Sequence, residues 1–164
     1  MRTALAATWT LLLGMALLML GAGLQGTLVG LRASLEGFPT LLAGIMLAAY
    51  YLGYMAGSVM TPGLVNSVGH VRVFAALTSL ASVLILLQGI FVAPLPWTLV
   101  RILSGFCFAG IYVVAESWLN GRVDNEHRGL LLSIYMLVCY GGLGLGQLLL
   151  NVADPRSTVL FILV

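Results

Sequence analysis

Two side chains stand where an apolar chain has little use for charge. Arg101 and Glu116 are the charged groups in the run from residue 97 to 119. Charged groups inside a membrane-length apolar run are costly, and they usually face a bundle interior or a water-filled cavity, where they handle ions or solutes. At 100° per residue, Arg101, Gly105, Phe108, Tyr112 and Glu116 fall within about 80° of one another on a helix, as one stripe. The two charges are then roughly 22 Å apart along the axis, so each needs a partner on another helix, or water. Both also have a blander reading. Arg101 lies about a turn from one end of its run, where its stem could carry the guanidinium to the headgroups. Glu116 is near the other end and could join the basic loop of Arg122 and Arg128.

The remaining polar groups form a thinner pattern. Gln25 stands in the first apolar run, Tyr50, Tyr51 and Tyr54 in the second, and Tyr140, Gly144 and Gln147 share one face of the fifth. These residues could line a pathway with Arg101. Alternatively, tyrosines anchor helices at interfaces and a glutamine such as Gln147 makes a single helix-to-helix hydrogen bond. Asp124, Glu126, His127 and Arg128 read as a solvated loop and helix start, with no metal site expected, and Cys107 and Cys139 read as packed thiols. No nucleophile and base, phosphate loop or dinucleotide fingerprint is present, so neither an enzyme nor a cofactor is expected.

Composition says what must position these groups. The chain is 61% hydrophobic and 7% charged, against about a quarter charged residues in a soluble domain. Seven basic and five acidic side chains cannot cover a globular surface, which argues against a soluble enzyme, a disordered chain or a nucleic-acid binder. The solvent must be lipid. A bilayer core needs about 20 apolar residues per helix. Charges and prolines cut the chain into runs of that order at 4–31, 39–61, 73–93, 97–119 and 129–152, with a sixth beginning at 158–164. The runs lack the alternation of barrel strands, so the predicted fold is an all-α membrane bundle of five transmembrane helices plus the start of a sixth. Connections this short make successive helices antiparallel. A cytoplasmic N-terminus puts Arg2, Arg72, Arg122 and Arg128 inside, with Arg32 and Arg156 outside, as the positive-inside rule prefers. Gly26 and Gly30, Gly53 and Gly57, and Gly142 and Gly146 are spaced for close helix packing.

The arrangement resembles the N-terminal half of a major facilitator superfamily transporter, and in particular the YcaD-like bacterial group. The residues that carry the resemblance are Arg101-Ile-Leu-Ser-Gly105, Ile111-Tyr-Val-Val-Ala-Glu-Ser-Trp118, Arg128-Gly129, Ser133-Ile-Tyr-Met-Leu-Val138 and Gly146-Gln-Leu-Leu149. Arg-x-x-x-Gly at 101–105 matches the fourth-helix motif, whose arginine the family links to substrate or proton handling. Between its second and third helices the superfamily usually carries Gly-x-x-x-Asp-Arg-x-Gly-Arg-Arg, a charge cluster that latches the inner gate. Aligned on Gly69, this chain has Asn66 for the acid and Ser67 for the first base, then His70 and Arg72.

The resemblance implies an incomplete six-helix half over 1–164, with a C-terminal half missing and the solute site between halves near the midplane. The function expected from it is secondary active transport of a small solute by alternating access in the bacterial inner membrane. Arg101, Glu116, Gln25, Tyr54, Tyr112, Tyr140 and Gln147 are the candidate substrate or coupling residues, and Asn66, Gly69, His70 and Arg72 the candidate gating loop. Protons are a candidate coupling ion, and Glu116, which can titrate, is a better carrier than Arg101. The competing expectation is a non-transporting membrane assembly or receptor-like subunit, which would have no polar cavity between its helices.

Overall fold

A computed structural model describes residues 2–122 and 124–164, with side chains at 8–122, 124 and 126–164. The Arg2 side chain, part of the orientation argument, lies outside the described residues. Among the described residues six α-helices follow one another: α1 (Arg2–Leu35), α2 (Thr40–Val68), α3 (His70–Ile90), α4 (Pro94–Asn120), α5 (Asn125–Leu148) and the short α6 (Val159–Leu163). A 3₁₀ turn at Leu149–Asn151 extends α5, and there is no strand among the described residues. Five of these helices are long and apolar enough to cross a membrane. Large apolar side chains such as Leu13, Leu17, Val59, Val71, Leu95 and Leu137 point outward, which lipid accommodates and water would not.

The helices outrun the apolar runs at several ends, for local reasons. Pro62 lies inside α2, which continues to Val68. A proline costs the helix one backbone hydrogen bond, and membrane helices tolerate that. Pro94 and Pro96 are not in a connection but in the first turn of α4. There the missing N–H would have had no helical partner, and the fixed φ suits the helix. α1 runs on to Leu35, where Arg32 Nε forms a 2.7 Å ion pair with Glu36 one turn later. The expected loop from Pro62 to Arg72 shrinks to Gly69, which holds φ 93° and ψ 154°.

That backbone region is essentially reserved for glycine, and holding another residue there costs about 1–3 kcal/mol. Gly69→Ala is therefore expected to lower stability by that amount, read as a fall in the melting temperature of the detergent-solubilised protein. An unchanged transition would mean that the turn relaxes out of this conformation.

α2 lies along α4 and α1 along α5, each pair in backbone contact through glycines. A Cβ on Gly53 would collide with the carbonyl oxygen of Ile102, and one on Gly105 with that of Tyr50. In the other pair, Gly23 meets the Leu143 carbonyl and Gly146 the Leu20 carbonyl. Gly53, Gly57, Gly142 and Gly146 are thus close-contact positions, as their spacing suggests. Gly26 and Gly30 are not, because nothing lies within 4 Å of a Cβ on either, and α1 presents Gly23 to α5 instead. By contrast α1 touches α2 lightly, as α4 does α5, while α3 packs against the back of α4.

One end of the bundle is closed by an aromatic cluster. The Trp97 ring at the start of α4 sits 5.4 Å from Phe38 and 6.1 Å from Phe161, centre to centre. At the same end Arg32 Nη1 donates a 2.9 Å hydrogen bond to the Pro155 carbonyl, tying α1 to the segment before α6. The opposite end holds the α2–α3 turn and the end of α4, with His70, Arg72 and Arg122.

Candidate functional site

A cavity of about 840 Å³ opens between α1, α2, α4 and α5. Each helix gives it one face, set by the helical repeat. α4 contributes Arg101, Phe108, Tyr112 and Glu116, the stripe expected from the sequence, and α2 contributes Leu47, Tyr50, Tyr51 and Tyr54. α1 adds Ala22, Gln25 and Gly26, and α5 adds Met136, Cys139, Tyr140 and Leu143. Of the seven candidate substrate or coupling residues, six line this cavity: Arg101, Glu116, Gln25, Tyr54, Tyr112 and Tyr140. Gln147 does not, and is exposed on α5. Gly105 turns from the cavity to the Tyr50 backbone, where its missing side chain lets α2 approach α4.

Arg101 is 7% exposed, so its guanidinium stays in the bundle instead of extending to the headgroups. It lies over the ring of Tyr50, 4.4 Å from the ring centre, a contact worth about 2 kcal/mol when desolvated. Its Nε is buried with no hydrogen-bond partner. The ion pair found among the described residues is Arg32 with Glu36, which leaves Arg101 a buried cation without a counter-ion there. Glu116, half-buried, opens onto the same cavity roughly 22 Å along the helix from Arg101.

Two of the neutral polar groups, Gln25 and Tyr112, are committed to the protein. Gln25 Nε2 donates a 3.2 Å hydrogen bond to Gln88 Oε1 on α3, and Trp97 Nε1 donates to the Gln88 carbonyl at 2.9 Å. Tyr112 OH donates to Met19 Sδ at 2.7 Å. Gln88, fully buried, is a polar residue that sequence reasoning missed, as are Thr61 and Ser104. For Gln88, an amide within the apolar run 73–93 was the available signal, since such a group must find a partner inside the bundle. Tyr50 was noted from sequence but its place beneath Arg101 was not, because the contact joins residues on different helices.

The candidate gating residues divide. Gly69, His70 and Arg72 line a hollow of about 470 Å³ with Ser117, Trp118 and Arg122. His70 Nε2 and Ser117 Oγ share a 3.1 Å hydrogen bond, joining the start of α3 to the end of α4, and Arg122 stacks on Trp118 at 4.1 Å. Asn66 is exposed near the end of α2 and does not line the hollow.

Comparison with known proteins agrees with this architecture. The model of the sugar (and other) transporter family matches residues 23–153. An uncharacterised MFS-type transporter of Enterobacter sp. is 33% identical over 141 residues, covering 86% of this chain and 37% of the relative. The uncharacterised MFS-type transporter YcaD of Salmonella arizonae, and that of Escherichia fergusonii, match at the same identity and coverage. The chain thus spans 37% of the length of these curated relatives. No solved structure matches it. A family match across most of the chain, on five apolar helices of membrane-spanning length, makes this a multi-pass membrane protein and a member of the sugar (and other) transporter family of the major facilitator superfamily.

Proposed function

We propose that this chain is the N-terminal part of a secondary active transporter of the bacterial inner membrane. It moves a small solute by alternating access, and the cavity among α1, α2, α4 and α5 is its half of the solute site. The observation that carries the reading is Arg101, a buried cation that has no counter-ion among the described residues and opens onto a cavity shared by four helices. A group so costly in a membrane interior suits a protein that handles charge there. The length of the relatives supports a second half that closes the cavity from the facing side. Arg72, Arg122 and Arg128, against Arg32 and Arg156, support a cytoplasmic N-terminus. The same cavity weighs against a non-transporting assembly, whose helices would pack without one.

Glu116 is the proton carrier in this reading, because it is the carboxyl group that lines the cavity. The full-length protein in proteoliposomes, given an inward proton gradient, should accumulate solute. Glu116→Gln should reduce uptake to its level without a gradient while solute exchange continues. Wild-type transport that ignores the gradient would remove proton coupling from the proposal.

A further inference from the structure

We infer that the solute is an amphiphilic monocarboxylate: one carboxylate held by Arg101, and an aromatic or aliphatic body lying along the cavity. This rests on the transport reading above and names its substrate class. Three observations carry it.

The first is the geometry of the cation. Tyr50 covers one face of the Arg101 guanidinium, and the buried Nε has no partner. What the group has left to offer the cavity is its in-plane end, the two Nη atoms, which matches the two oxygens of a carboxylate in a bidentate pair. The second is the charge count. Among the described residues Arg101 is the one cation lining the cavity, and the other charged residue there is Glu116. In this half of the site a solute with two negative charges would find one cation for them, in a low-dielectric space that also holds a carboxyl group. The third is the lining of this half, where Gln25 is bound to Gln88 and Tyr112 to Met19, so that tyrosine hydroxyls are the neutral polar groups left beside a largely apolar wall. The apolar side chains of Leu47, Phe108, Met136 and Leu143 fit an apolar body better than a polyol.

The test is equilibrium binding of labelled 3-phenylpropionate to the purified full-length protein, with three competitors. 3-Phenylpropanol has the same body without the charge, phenyl phosphate carries a second charge, and glucose is a neutral polyol. Saturable binding of 3-phenylpropionate is expected, with 3-phenylpropanol at least about 30-fold weaker, as befits loss of one partner from a buried charge pair. Arg101→Gln should weaken binding by a similar factor and Arg101→Lys by less. The alcohol comparison needs no variant, so it decides the matter even if a substitution impairs folding.

Four results would overturn the inference: no saturable binding of the carboxylate, equal binding of the alcohol, tighter binding of glucose or phenyl phosphate, or an unaffected Arg101→Gln protein. Counterflow in proteoliposomes separates this failure from failure of the transport reading. Glucose counterflow that 3-phenylpropionate leaves untouched would refute the monocarboxylate and keep the transporter. Carboxylate binding with no counterflow would do the reverse.

Discussion

Arg101→Met is expected to lower solute uptake at least about 30-fold while making the protein more resistant to heat, and the combination is more telling than either effect alone. Losing one member of a buried charge pair with the solute costs about 2–5 kcal/mol of binding, from which the fall in uptake follows. The gain in stability has a separate origin. A charged residue in a membrane helix costs up to about 2.5–3.5 kcal/mol on insertion scales, the figure for the helix centre, and Arg101 lies nearer one end. The stacking on Tyr50 returns part of that, but no carboxylate among the described residues returns the rest. Methionine fills a similar volume without the desolvation cost, so some of that penalty is relieved. An arginine serving only to hold helices together would behave in the opposite way, since its removal would leave a partner stranded. Uptake by the full-length protein and its thermal unfolding in detergent decide the matter. Wild-type uptake would dismiss the functional role, and a lower melting temperature would point to a structural one.

The second large effect concerns backbone contact. Gly53→Val should lower stability by about 3 kcal/mol or more, at the upper end of what an overpacked core suffers. The atom in the way is the Ile102 carbonyl oxygen, part of another helix's backbone, so relief requires α2 and α4 to separate. Even Gly53→Ala should be costly. Gly44 is the matched contrast: it lies in the same helix, but a Cβ there meets nothing within 4 Å. Gly44→Ala should raise stability by up to about 1 kcal/mol, through helix propensity. The measurement is folded yield by size exclusion together with the melting temperature. Equal behaviour of the two alanine variants would argue against the close approach.

Much of this was legible in the sequence because lipid leaves so few options. Apolar runs of membrane length must be helices, and a charge within one must be accommodated, so the helices and the stripe from Arg101 to Glu116 followed from spacing alone. Helix ends were less legible. Proline served as punctuation, but Pro62 sits within α2 and Pro94 within the first turn of α4, and only backbone geometry separates those uses. Partner choice was not legible at all. Gln25 and Gln88 are 63 residues apart, and nothing local to either names the other. Nor does glycine spacing say which of Gly23, Gly26 and Gly30 will meet α5, since that depends on the rotation of α1 about its axis. Gln147 shares a face with Tyr140 on α5 by periodicity, but the cavity ends before reaching it.

The glycine contacts have a mechanical side. They fasten α2 to α4 and α1 to α5 backbone to backbone, making two stiff planks, while one plank meets the other through side chains, as where Tyr112 reaches Met19. A body built this way yields first along its seam. Arg101 and Tyr50 ride on one plank and Gln25 and Tyr140 on the other. A molecule wedged between them would load that seam directly, spreading or drawing together the planks without bending a helix.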